Sequence, residues 1–235
     1  MNVVSIMAHQ DDEMRCLGTM LKCQARGDRL FFITLTDGSG GFVQTPNIKR
    51  KPAAAIRHRE MSALVKAVGG TYINLREHDE FLYDTPALRL ALVGAIRETR
   101  ANLIFTHWRE DYNLDHTTTH SLVMQAALHS CLPMQKSKTP RLPEHPAIFS
   151  VEPHTPTGFP ATHFVDIIRY EKRKAELMKL HRSQEEAMQL VANAGFDKLC
   201  PVPDAYWGQK AGCEYAECFV SMPVRGAMKP YPVLP

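Results

Sequence analysis

The sequence predicts an α/β fold, a single domain built on a mostly parallel sheet flanked by helices. Three observations carry that expectation. Short, mostly apolar runs recur at residues 2–7, 30–35, 71–75 and 102–106. Stretches with apolar residues at helical spacing separate them, and glycine or proline marks most of the junctions. Strands apolar on both sides that alternate with helices belong to a parallel sheet covered on both faces.

The elements follow in order. Residues 2–7 (Asn-Val-Val-Ser-Ile-Met) form a buried strand that ends at Ala8 and a polar cluster. From about residue 13 to 26, Met14, Leu17, Leu21 and Ala25 keep helical period, and Gly27 stops the helix. Residues 30–35 make the second strand, and Thr36-Asp37-Gly38-Ser39-Gly40-Gly41 the loop after it. A helix over 53–68, closed by Gly69-Gly70, leads to a third strand at 71–75. Pro86 opens a helix to about residue 100, since proline is tolerated in a first turn. A fourth strand at 102–106 precedes a helix that starts at Asp115 or His116 and runs to about 132. Pro-rich residues 133–160 read as loop, with a strand at 147–151 inside them and another at 163–167. Residues 169–191 read as one long charged helix. The core is therefore expected over about 1–200, with 201–235, rich in Pro and Gly, as irregular cover.

Composition excludes several classes. The chain has 235 residues, 44% hydrophobic and 23% charged, which fits a globular protein rather than a disordered one. A net charge of +3 without a basic run gives no footprint for nucleic acid. No apolar stretch approaches the roughly 20 residues a membrane helix needs, and residues 1–7 lack the charge of a signal peptide. Six cysteines lie scattered without a CxxC pair, as expected for buried thiols in a reducing cytoplasm.

Open α/β sheets place ligands beyond the carboxyl ends of their strands. Two such loops are rich in chemistry here: His9-Gln10-Asp11-Asp12-Glu13 after the first strand, and residues 107–116, from His107 to Asp115-His116, after the fourth. An imidazole and a carboxylate from one loop plus an imidazole from the other make a His₂–carboxylate set, the pattern of a catalytic zinc site with room for water. A second carboxylate in the Asp11-Asp12 pair is then available to deprotonate that water. Each cluster alone also reads as acidic residues at a helix start; their joint placement favours the metal site.

These residues carry a resemblance. Strand–AHxDDE is similar to the start of the LmbE-like (PIG-L) zinc-dependent de-N-acetylase family, and the likeness continues through Thr36-Asp37-Gly38, Arg57-x-x-Glu60, the loop ending at Asp115-His116, His181-x-Ser183-Gln184 and Glu217-x-Phe219. It implies a Rossmann-like LmbE domain with His9, Asp12 and His116 as ligands to Zn²⁺ or another divalent metal such as Fe²⁺. It also implies Asp11 as general base, Asp115 as a further catalytic residue that orients the site, and Arg57 as a substrate contact. The implied reaction removes an N-acetyl group from an N-acetylglucosamine-type conjugate, a small-molecule substrate.

One position departs. Where the family has a histidine that assists the leaving amine, this chain has Asn113, which donates a hydrogen bond but cannot shuttle a proton. Asp11 then serves as both base and acid, or His107 or His154 substitutes; His107 and Asn113 are counted with Arg57 as substrate-binding candidates. Tyr112 is a further oxyanion donor, and Trp108 and Trp207 are candidates for stacking on a sugar, with packing the ordinary role for both. Three rivals remain: an amidase for a non-sugar N-acyl substrate, a non-catalytic metal- or ligand-binding homologue, and a nucleotide-binding domain. The last lacks a GxGxxG after the first strand. Relatives are often homo-oligomers, and the Pro-rich tail suits an interface as well as a monomer's cover.

Overall fold

The computed structural model describes residues 1–155, 158–223 and 233–235. Seven strands form one sheet: β1 (Asn2–Met7), β2 (Arg29–Thr36), β3 (Thr71–Glu77), β4 (Leu103–Thr106), β5 (Ala147–Val151), β6 (His163–Asp166) and β7 (Ala216–Ser221). Their order is β3-β2-β1-β4-β5-β7-β6. The first five run parallel, and β7 lies antiparallel between β5 and β6. The helices are α1 (Leu17–Ala25), α2 (Arg50–Ala67), α3 (Pro86–Thr99), α4 (Leu114–Ser130), α5 (Glu171–Met178), α6 (Arg182–Ala192), α7 (Phe196–Leu199) and α8 (Pro201–Ala211). Among the described residues, no helix is long and apolar enough to cross a membrane.

Strand β1 shows why the sequence demands two covered faces. Val3 and Met7 join Leu17 and Met20 of α1, Met61 and Leu64 of α2 and Leu177 of α5 on one side. Val4 and Ile6 join Leu92 and Ile96 of α3 and Leu122 and Ala126 of α4 on the other. Side chains alternate along a strand, so apolar residues at both odd and even positions supply both cores at once. The chain steps outward from β1 to β2 and β3, then returns to β4 on β1's other side. The switch point therefore falls between β1 and β4, and the loops leaving these strands open the crevice where α/β sheets bind ligands.

Three expectations are corrected. Residues 13–26 are not one helix: a 3₁₀ turn (Asp12–Arg15) precedes α1. The helix expected over 169–191 breaks at 179–181 into α5 and α6. No proline or glycine marks the break; tertiary partners make it. His181 Nε2 sits 2.6 Å from Glu13 Oε1, and Glu60 of α2 accepts from Ser183 N at 2.8 Å and Ser183 Oγ at 2.6 Å, satisfying an amide at the new helix start.

The irregular cover expected at 201–235 instead contains α8 and an interior strand, β7, while residues 224–232 lie outside the described set. Its punctuation belongs to the helix. Pro201 occupies the first turn of α8, and Gly212 ends it at φ 77°. Glu217 on β7 ties this segment to the core by accepting from the Gly18 and Thr19 amides at the start of α1, at 2.9 and 2.7 Å. Lys174 Nζ lies 2.8 Å from Glu217 and 2.6 Å from Asp204. A side chain at Gly18 would meet Ile167 Cδ1 at 2.8 Å, so glycine is what lets α1 approach.

Candidate metal centre and active site

The loop after β1 turns sharply at Asp11, whose φ of 111° and ψ of −19° are unusual for a residue with a side chain. Two side chains hold it there. Asp11 N donates to Glu13 Oε2 at 2.9 Å, and Arg57 Nη2 donates to Asp11 Oδ1 at 3.1 Å and to the Gln10 carbonyl. Glu13 is fixed in turn by His181, both side chains being essentially buried. Gly38, at φ 68°, brings the loop after β2 so close to Gln10 and Arg57 that no Cβ would fit.

The loop after β4 meets this turn across the switch point. His9 Nδ1 is 3.2 Å from His116 Nε2 and 3.3 Å from Asp12 Oδ2, and His116 Nε2 is 3.4 Å from Asp12 Oδ1. Donors bonded to one tetrahedral ion at about 2.0–2.1 Å are separated by about 3.3–3.4 Å, so this set fits a small divalent cation. The outer nitrogens strengthen the fit. His9 Nε2 faces Asp79 at 3.0 Å and Asp115 at 3.3 Å, while His116 Nδ1 faces Asp111 at 2.9 Å. Carboxylates on the far nitrogens set the tautomer of ligating histidines and raise their basicity.

The field favours positive charge at this point. Burial opposes charge on His116, yet Asp12 and Asp111 raise its pKa to about 9. Burial likewise opposes charge on Asp12, but His116, His107 and His9 hold it well below the usual carboxylate range. Burial pushes Asp11 up to about 6 against the pull of Arg57, with Asp12 adding to the rise.

A cleft of about 340 Å³ opens over the cluster. His9, Asp11, Asp12 and His116 line it with Arg57, Asp79, Asn113 and His154, and Met14, Met188, Phe196 and Leu199 add an apolar side. The structure thus brings together His9, Asp12 and His116, and places Asp11 and Arg57 beside them. Asn113 also reaches the cleft, but its carboxamide oxygen caps α4, accepting from Asp115 N at 2.8 Å and His116 N at 3.4 Å. Asp115 contacts His9 rather than its sequence neighbour His116, and receives the Glu80 and Leu82 amides at 2.9 and 3.1 Å.

His107, the remaining substrate-binding candidate, lies beneath the cluster. It is absent from the cleft lining, 4% exposed, and stacked beneath His116 with ring centroids 3.9 Å apart. Its Nε2 accepts from Ala8 N at 2.9 Å, and burial with the neighbouring His116 charge lowers its pKa to about 4. Trp108 is buried against Phe159, and neither Trp108 nor Trp207 lines the cleft. Asp79 and Asp111 were missed. Asp79 follows β3 and so lies at the same sheet edge, a signal the strand-end rule could have caught; Asp111 carries no spacing signal.

Fold and site together define a class: a parallel-sheet α/β protein whose switch point carries a His–Asp–His cluster suited to a divalent cation. The family model described as "PIG-L: GlcNAc-PI de-N-acetylase" matches residues 4–127, and the chain belongs to this LmbE-like family. That span holds His9, Asp11, Asp12, Arg57 and His116.

Solved structures share the fold. N,N'-diacetylchitobiose deacetylase from Pyrococcus horikoshii is 21% identical with a TM-score of 0.80, over 94% of this chain and 83% of that one. The conserved protein TT1542 from Thermus thermophilus is 25% identical with a TM-score of 0.75, over 96% and 97%. GalB, the 4-carboxy-2-hydroxymuconate hydratase from Pseudomonas putida KT2440, is 17% identical with a TM-score of 0.80, over 98% and 100%.

Proposed function

We propose that the protein is a metal-dependent N-deacetylase acting on an amino-sugar conjugate of the N-acetylglucosamine type. The observation that carries this reading is the placement of Asp11 on the cleft wall beside a three-donor cluster, with Arg57 fixing its carboxylate. Family membership supports the acetyl group and the sugar, as does the diacetylchitobiose deacetylase among the structural neighbours. Two imidazoles and a carboxylate, without sulfur, suit Zn²⁺ and also Fe²⁺.

A divalent ion held by His9, Asp12 and His116 would supply Lewis acidity toward the acyl carbonyl and acidify a water. Asp11 takes a proton as the water oxygen bonds to the carbonyl carbon and the C=O π pair moves onto oxygen. When that pair returns, the C–N bond breaks, and Asp11 hands its proton to the departing nitrogen. Acetate and a free amine leave. Asp115 and Asp79 keep His9 oriented throughout, and Asp111 does the same for His116. Six scattered cysteines without a CxxC pair suit a cytoplasmic setting.

A second reading has its own observation. Asn113 is a carboxamide engaged as a helix cap, so it offers no acid for a leaving amine; hydration of a carbon–carbon double bond has no leaving amine, and the proton that Asp11 takes from water would return to carbon. The hydratase among the structural neighbours supports this rival. Acetate release from a panel of N-acetylglucosaminides, set against loss of ultraviolet absorbance from conjugated unsaturated acids, separates the two. Acetate release by wild type and not by Asp11→Ala supports the deacetylase; hydration without acetate release refutes it.

A further inference from the structure

We propose that His154, held by Arg15, is a catalytic hydrogen-bond donor to the oxyanion formed in this cleft. The inference rests on the hydrolytic reading above, and it assigns a role to the β5–β6 loop.

Three imidazoles line the cleft: His9, His116 and His154. Both nitrogens of the first two are committed, one to the three-donor cluster and the other to a carboxylate. The carboxamide oxygen of Asn113 is engaged by the amides of α4. His154 differs. Its ring centroid lies 6.2 Å from that of His116, and Arg15 Nη2 is 3.1 Å from its Nδ1. A guanidinium only donates, so Nδ1 must accept, and the ring proton resides on Nε2.

Arg15 is itself fixed. Its Nη1 donates to Glu152 Oε2 at 3.3 Å, and Glu152 Oε1 receives the Trp207 indole N–H at 2.6 Å. Glu152 is 6% exposed and the Arg15 side chain 13%. A chain from α8 through the end of β5 to the turn after β1 thus sets one tautomer of one histidine at the cleft. Such a histidine gives an N–H to developing negative charge without changing its protonation. No bond to His154 forms or breaks; Asp11 carries the protons. Loss of one preorganised donor of this kind lowers kcat by about 10²–10³-fold.

The test compares wild type with His154→Ala, His154→Gln, Arg15→Met and the double variant, all zinc-loaded. Metal content and Tm serve as controls. His154→Ala is expected to lower kcat about 10²–10³-fold with KM changed less than about threefold, and His154→Gln, which keeps an N–H, to recover part of the loss. Arg15→Met is expected to lower kcat alone but to add nothing in the His154→Ala background, the mark of a residue acting through another.

The second readout is calorimetric binding of inorganic phosphate, a tetrahedral oxyanion, expected to weaken about tenfold or more in His154→Ala. Unchanged kcat and phosphate binding in His154→Ala, a change confined to KM, or loss of metal would overturn the assignment. If wild type cleaves no N-acetyl substrate yet binds phosphate through His154, the deacetylase reading fails while the donor assignment stands. If wild type is active and His154→Ala matches it, the donor assignment fails while the deacetylase reading stands.

Discussion

Asp111→Asn is the most discriminating single change, because it leaves the three-donor cluster itself untouched. Asp111 sits five residues before His116, and its Oδ2 lies 2.9 Å from His116 Nδ1 with the side chain 1% exposed. Its Oδ1 accepts from Asn113 N at 3.0 Å, a bond asparagine retains, so the loop and the cap of α4 should survive. What disappears is the negative charge that makes His116 a better donor. Loss of such a partner lowers metal affinity about 10–100-fold, or roughly 1.4–2.7 kcal/mol. The comparison variant is Asp79→Asn. His9 Nε2 faces both Asp79 and Asp115, at 3.0 and 3.3 Å, so removing one charge leaves the other, and the expected loss is below about tenfold. Competition against a chromophoric zinc chelator measures both, with Tm recorded to verify folding. Equal zinc affinity in Asp111→Asn and wild type, or a larger loss in Asp79→Asn, would refute the reasoning.

Other outcomes follow from the same structure. Asp11→Asn should keep stoichiometric metal and lose at least about 10²-fold in kcat, read by acetate release, because only the base is removed. Glu217→Ala leaves Lys174 with Asp204 but strands the Gly18 and Thr19 amides of α1 in the core; urea unfolding should show a loss of about 2–5 kcal/mol. His120 is buried, and burial lowers its pKa although its Nδ1 bonds the His107 carbonyl at 2.8 Å. The unfolded chain therefore binds this proton more readily. The stability is complete above the unfolded pKa of about 6.5 and declines as pH falls below it. His120→Gln should flatten that acid limb in urea titrations repeated from about pH 7.5 to about 5.5, on either side of the ordinary histidine pKa, and an unchanged slope would count against the assignment.

The parallel half of the fold was legible because its signals are local. The mostly apolar runs of β1, β2 and β4, Pro86 at the start of α3 and Gly27 and Gly69 after helices each say where an element begins or ends. The site was legible for a related reason: once two loops are placed beyond neighbouring parallel strands, His9, Asp12 and His116 must approach one another. The errors arose where partners distant in sequence decide. His181 breaks a helix because Glu13 receives it, 168 residues away, and nothing in the local charge pattern announces that. Pro201 and Gly212 read as irregular because a helix framed by breakers looks like a loop when β7, which completes the sheet beside it, is not seen. His107, counted as a substrate-binding candidate because Asn113 stands in place of a histidine, lies beneath His116 with its Nε2 accepting from the Ala8 amide, a contact nothing local announces.

The central claim is that His9, Asp12 and His116 hold a catalytic divalent ion for which Asp11 is the base. The most direct measurement is elemental analysis of wild type and Asp11→Ala purified without chelator, paired with acetate release from N-acetylglucosaminides. One equivalent of zinc or iron in both proteins, with acetate from wild type alone, is the expected result. Metal-free wild type, or an Asp11→Ala protein that keeps full activity, would contradict it.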